Sequence, residues 1–87
     1  MAKYLKTLQA VFADPTQSNI AWRDIEAMLK SLGAELSEGR GSRVRVHLNG
    51  VRAVFHRPHP EKEASKACVE SVREFLVAAG IAPQEAD

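Results

Sequence analysis

The chain has 87 residues, enough for one domain with a modest core and a small stability margin. Hydrophobic residues make up 45% and charged residues 26%, which excludes a wholly disordered chain. The single cysteine, Cys68, excludes an internal disulfide and a cysteine-based zinc finger, and it fits a reducing compartment. No apolar run approaches the length of a membrane span or signal peptide, so we expect a cytoplasmic protein without membrane contact.

Apolar spacing predicts two helices in the first part of the chain. The first covers residues 2–13, with apolar side chains on one stripe, and Asp14-Pro15 ends it. The second covers residues 21–32, and Gly33 is a typical C-terminal cap. A polar connector joins the two helices.

The periodicity then changes to that of strands. Residues 34–37 are predicted as a short first strand, and residues 42–48 alternate strictly between cationic and apolar side chains. Asn49-Gly50 is a strong hairpin signal, and residues 51–56 form the returning strand. A last helix covers residues 65–79. This order predicts an α+β, two-layer fold: a three-stranded antiparallel sheet with helices on one face.

A two-residue turn at Asn49-Gly50 fixes which side chains share a face of the hairpin. Leu48 then pairs with Val51, and the pairing continues outward from them. The core face receives Val44, Val46, Leu48, Val51, Ala53 and Phe55. The opposite face receives Arg43, Arg45, His47, Arg52, Val54 and His56. This register predicts five cationic or titratable groups on one surface.

The window from residue 40 to residue 60 contains five arginines, all three histidines and no Asp or Glu. We therefore expect no acid to neutralise the cationic face. Like charges across a strand pair cost stability, so this pattern favours a function, namely phosphate binding by arginine forks. The alternative is a solvated strand face that keeps an exposed edge soluble. The histidines lack metal-ligand spacing, and neither a metal nor another cofactor is expected.

From Asp24 onward the chain resembles the HicA toxin family. The matching pieces are the helix of residues 24–34 ending in Gly33-Ala34, the segment 39–42 (Gly-Arg-Gly-Ser), the turn 58–63 (Pro-His-Pro-Glu-Lys-Glu) and the closing helix to Gly80-Ile81. Together they cover roughly two thirds of the chain. The resemblance places a HicA-like core at residues 20–82, within one domain of residues 1–87. Residues 1–16 are then an N-terminal helical extension.

The resemblance implies a fold similar to a double-stranded-RNA-binding domain, cleavage of messenger RNA without a metal, and neutralisation by a HicB-like antitoxin. In the family's motif a histidine directly follows Gly-Ser and is regarded as catalytic. This sequence has Arg43 at that position. An arginine keeps its proton at neutral pH, so Arg43 can clamp a phosphate but cannot act as a general base.

Two histidines remain as proton acceptors on the cationic face. His56 lies opposite Arg43 in the predicted register, at about 5 Å between Cβ atoms, and proximity ranks it first. His47 is the second candidate, because it lies on the strand that follows Gly-Ser, as the family's histidine does. The RNA-binding candidates are Arg40, Ser42, Arg43, Arg45, Arg52, Arg57 and His59. Two other interpretations stay open: an RNA-binding module that does not cleave, and an interaction protein whose basic sheet meets an acidic partner.

Overall fold

The computed structural model describes residues 4–58 and 62–81. Its elements, in chain order, are α1 (Tyr4–Val11), α2 (Trp22–Ser31), β1 (Glu35–Glu38), β2 (Arg43–Leu48), β3 (Val51–His56) and α3 (Lys66–Ala78). The strands form one antiparallel sheet in the order β1-β2-β3. The predicted α+β class and the predicted sequence of elements are confirmed.

The predicted ends of the elements are correct to within a few residues. Gly33 follows α2 with a φ of 99°, and its N–H donates to the carbonyl of Lys30. This left-handed conformation ends the helix at little steric cost because glycine has no Cβ. Strand β1 then extends to Glu38, one residue further than predicted. The predicted start of the first helix, at residue 2, lies outside the described residues.

The hairpin register is the one that the Asn-Gly turn predicts. All six pairs agree, from Leu48 with Val51 at the turn to Arg43 with His56 at the far end. Asn49 has a φ of 53° and Gly50 a φ of 84°, so both central residues adopt the positive φ that a type I′ turn requires.

One face of the sheet is buried beneath the helices. Strand β2 alternates exposed and buried residues along its whole length, with Val44, Val46 and Leu48 in the core. Trp22 of α2 and Phe75 of α3 contact Phe55 of β3, with ring centroids at 6.1 Å and 5.8 Å. Aromatic contacts of this kind add to the free energy of burial. The core is therefore built between the helices and one side of the hairpin.

Helix α1 belongs to the same core. Leu8 and Val11 are buried in it. Arg73 of α3 also donates hydrogen bonds to the carbonyls of Val11 (2.9 Å) and Ala13 (3.2 Å). Because the last carbonyls of a helix have no partners within that helix, the Arg73 guanidinium satisfies groups that would otherwise need water. The N-terminal helix is thus held by both apolar packing and a charged side chain.

Asn49 has a second role, because its Nδ2 donates to the carbonyl of Ala79 at the end of α3 (2.9 Å). We expect Asn49→Gly to lower the free energy of unfolding by about 1 kcal/mol, through loss of this hydrogen bond. Asn49→Ala should cost about 2 kcal/mol, because alanine also resists the positive φ. Urea denaturation of both variants measures the difference. Equal losses would show that the backbone conformation at residue 49 contributes nothing.

Candidate nucleic-acid interface

The side of the sheet that faces away from the helices carries the predicted cationic pairs. Arg43 lies opposite His56, Arg45 opposite Val54, and His47 opposite Arg52. All six of these residues are exposed. We call this surface the open face; it consists of these six residues together with Glu35 and Ser37 of β1. Cross-strand partners have Cβ atoms about 5 Å apart, so the groups can contact one polyanion together.

Strand β1 adds an acid to the open face. The expectation of an acid-free surface is therefore wrong for the part of the face near the hairpin turn. Glu35 pairs with His47 and Ser37 pairs with Arg45. The Nδ1 atom of His47 lies 3.9 Å from Oε1 of Glu35, and the Glu35 side chain is 86% exposed. The acid was missed because Glu35 lies outside the acid-free window in sequence and reaches the face only through strand pairing.

The open face therefore has two chemically different ends. Near the hairpin turn, Glu35, His47 and Arg52 form a mixed end, within a shallow concavity. That concavity is lined by Glu35, Leu36, Ser37, Arg45, Val46, His47, Arg52, Ala53 and Val54. At the far end, Arg43 and His56 face each other, and among the residues that the structure describes neither has an acid within ion-pair distance. We call this pair the cationic end.

The loop of residues 39–42 places two more predicted residues beside the cationic end. Arg40 and Ser42 are both exposed there. The Gly39 N–H donates to the carbonyl of Arg43 (2.9 Å), and a Cβ built on Gly39 would lie 3.1 Å from Cβ of Arg43. The glycine thus allows the loop to approach the start of β2 closely. The predicted RNA contact His59 lies outside the described residues.

Arg57 lies apart from the open face. It follows His56, and the alternation of the strand turns its side chain toward the helices. Its guanidinium donates to both carboxylate oxygens of Glu38 (2.7 and 2.8 Å) and to Oε2 of Glu26 (2.8 Å). Trp22 Nε1 donates to that same Glu26 oxygen. Arg57 therefore joins the end of β3 to α2 and β1, and its donors are directed at Glu26 and Glu38 instead of the open face.

These contacts shift the ionisation of both charged partners. The hydrogen bond from Arg57 lowers the pKa of Glu38 below its ordinary value of 4.5. The hydrogen bonds from Arg57 to Glu38 and Glu26 raise the pKa of Arg57 above its ordinary value. Both groups therefore remain charged across the physiological range.

Other chemistries have little support among the described residues. Burial raises the pKa of the Cys68 thiol, so it disfavours the thiolate that a cysteine nucleophile requires. Within residues 4–58 and 62–81, no group of three His, Cys, Asp or Glu side chains is placed to hold a metal ion. In the same residues no helix has both the length and the apolar character needed to cross a bilayer.

The fold and the open face define a class: small α+β domains that expose a cationic strand surface on one side of a sheet. A sequence model of the HicA toxin of bacterial toxin–antitoxin systems matches residues 22–81, from the start of α2 to three residues beyond the end of α3. This match covers more than half of the chain, and the chain belongs to the HicA toxin family. Helix α1 precedes the matched residues.

Searches among curated proteins and among solved structures give no significant match. The similarity to a double-stranded-RNA-binding domain therefore stays a prediction. Family membership assigns the chain the role of a toxin with an antitoxin as its partner.

The ion pair between Arg57 and Glu38 predicts a pH dependence of stability. Folding lowers the pKa of Glu38, so the ionised Glu38 stabilises the folded chain fully above pH 4.5. This stabilisation is lost as the pH falls through the lower pKa that Glu38 has in the folded chain. We expect Glu38→Gln to reduce the loss of stability below pH 4.5, measured by urea denaturation at a series of pH values. Glu70→Gln, at an exposed position of α3, is the control. Identical acid profiles for Glu38→Gln and the unmodified chain would contradict the prediction.

Proposed function

We propose that this toxin is a metal-independent endoribonuclease that cleaves messenger RNA, an mRNA interferase, and that RNA binds on the open face. The observation that carries the proposal is the exposed set of Arg43, Arg45 and Arg52 in one register, beside two histidines. A guanidinium donates two parallel hydrogen bonds to phosphate oxygens, so spaced arginines fit a phosphodiester backbone. Arg40 and Ser42 would extend this surface along the 39–42 loop.

RNA supplies its own nucleophile, which is why no metal or other cofactor is needed. The 2′-oxygen attacks the adjacent phosphorus, a general base takes the 2′-proton, and the bond from phosphorus to the 5′-oxygen breaks. The departing 5′-oxygen takes up a proton from a general acid or from water. Arginines hold the negative charge that accumulates on the phosphorane. DNA lacks the 2′-hydroxyl and cannot follow this route.

His56 is our first candidate for the general base, and His47 is the second. His56 pairs directly with Arg43, so a phosphate clamped by Arg43 would lie next to the His56 imidazole. His47 lies four positions further along β2, about 13 Å from Arg43 at roughly 3.3 Å per residue. One phosphodiester cannot contact both histidines over that distance. We therefore propose that one histidine contacts the reacting phosphate and that the other binds the flanking RNA strand.

A second candidate function is RNA binding without cleavage. It is favoured by Arg43, which occupies the position that the family's motif gives to a histidine and cannot accept a proton. In that case the open face would block a messenger RNA by holding it. Cleavage of a purified transcript separates the two functions, and binding without cleavage supports the second.

We propose a HicB-like protein as the antitoxin, acting on the open face in the cytoplasm, where messenger RNA is found. An inhibitor must fill the RNA site or block access to it. The cationic groups of the open face favour a partner that presents acids to them. Formation of the complex would then protect residues 43–56 from solvent.

The role of the open-face arginines is tested by changing Arg43, Arg45 and Arg52 together to Gln. We expect weaker binding of a single-stranded RNA, and a salt dependence whose logarithmic slope is smaller by up to about 2. Fluorescence anisotropy at several salt concentrations measures both. The matched control changes the exposed Lys6, Arg23 and Lys66 to Gln, which removes the same charge from other surfaces. Equal effects of the two triple variants would exclude the open face as the RNA site.

The catalytic assignment is tested by His56→Ala and His47→Ala. Loss of a general base should slow cleavage of a transcript by about 10²- to 10⁴-fold with RNA affinity largely retained, and we expect this for His56→Ala. Growth arrest on induced expression should be lost in parallel. A substrate with 2′-deoxy sugars is the control and should stay intact. If both variants cleave like the unmodified chain, neither histidine is the base, and His59→Ala is the next variant to measure.

A further inference from the structure

Strand β3 lies at one edge of the sheet, and no strand of residues 4–58 or 62–81 pairs with its outer side. The hydrogen-bond pattern gives the direction of each backbone group, because Leu48 pairs with Val51 at the turn and the Arg57 N–H donates to the carbonyl of Ser42 (2.8 Å). Positions 51, 53, 55 and 57 therefore bond to β2, and positions 52, 54 and 56 point outward. Within the part of the chain that the structure describes, these three residues make no backbone hydrogen bond on the outer side.

This edge has the properties of a template for another strand. Strand β3 is six residues long, contains no proline, and carries an exposed apolar residue, Val54, at its centre. Unpaired edges of this length bind strands from other chains unless charge or a bulge prevents it. The Arg52 guanidinium and the His56 imidazole, on either side of Val54, decide which kind of strand can bind.

A second copy of this chain fits the edge poorly. Antiparallel pairing of two β3 strands about Val54 would place Arg52 of each copy opposite His56 of the other. Such a pairing would give the Arg52 guanidinium no acid, and a protonated His56 opposite it would destabilise the strand pair. A strand with acids opposite Arg52 and His56, and an apolar residue opposite Val54, would instead pair with the Arg52 guanidinium, accept a hydrogen bond from the His56 imidazole and cover the exposed valine.

We propose that the antitoxin adds such an acid–apolar–acid strand to the outer edge of β3. Main-chain hydrogen bonds to residues 52, 54 and 56 would supply affinity, and the alternating side chains would supply specificity. The acids of the added strand would lie on the open-face side, beside the proposed RNA site. The inference rests on the proposed function, since it assumes an antitoxin that blocks the open face.

The first test is hydrogen exchange by NMR on the ¹⁵N-labelled chain, measured on the free chain and on its complex with a probe. The probe is the candidate antitoxin, namely the protein encoded by the reading frame adjacent to the gene of this chain. In the free chain we expect fast exchange at the amides of Arg52, Val54 and His56 and slow exchange at Ala53 and Phe55. In the complex all five should be slow. Protection of the three outward amides already in the free chain, or no added protection in the complex, would overturn the proposal.

The second test is Val54→Pro, with Val54→Ala as the matched control. Because the Val54 N–H points away from β2, proline removes no hydrogen bond of the sheet and is tolerated at an edge. It does remove the central donor for an added strand, so we expect a loss of affinity for the probe of about 10- to 100-fold. Alanine keeps the N–H and should lose less than about 10-fold. Circular dichroism and the unfolding midpoint verify that both variants fold.

The outcomes separate the edge from the proposed function. If Val54→Pro binds the probe as tightly as Val54→Ala, the edge is not the docking site, whatever the RNA experiments show. If the unmodified chain forms no complex with the probe, the proposed partner is wrong and the strand proposal falls with it. If the arginine variant keeps its RNA affinity while Val54→Pro loses the probe, the proposed RNA site fails and the docking edge stands.

Discussion

Two adjacent residues with positive φ, Asn49 and Gly50, close the β2–β3 hairpin and so determine the face on which every side chain of two strands lies. A shift of one residue would bury the arginines and expose the valines, which the core could not tolerate. The same turn holds the end of α3, since the Asn49 amide donates to the Ala79 carbonyl. Both the core and the open face therefore depend on this turn geometry.

Charge is distributed differently on the two sides of the sheet. On the helix side, Arg57 is matched by Glu38 and Glu26, so its charge contributes to the packing of α2 against the strands. On the open face, Arg43 has no such partner among the described residues. The ion pairs of Arg57 contribute stability. The cations of the open face cost stability unless a polyanion or an acidic protein binds. This contrast is the physical basis for treating the open face as the functional surface.

RNA and antitoxin would use neighbouring parts of one hairpin in different ways. RNA would bind the side chains of the open face, through hydrogen bonds from the arginines to phosphates. The antitoxin would add to the backbone edge of β3, where the exposed Val54 lies between Arg52 and His56, and bring acids to that surface. Because this partner would bind backbone groups and RNA would bind side chains, the two would not compete for the same hydrogen-bonding groups. Its acids could still neutralise the cations on which RNA binding depends.

Local sequence patterns were enough to predict the fold class, the hairpin register and the family, because these depend on periodicity, a specific turn and ordered short motifs. They could not show that Glu35 meets His47, that Arg57 contacts Glu26 at a separation of 31 residues, or that Arg73 reaches the end of α1. Each of these contacts joins elements that are distant in sequence. Their partners are fixed only when β1 pairs with β2 and the helices pack on the sheet, and no local pattern encodes that packing.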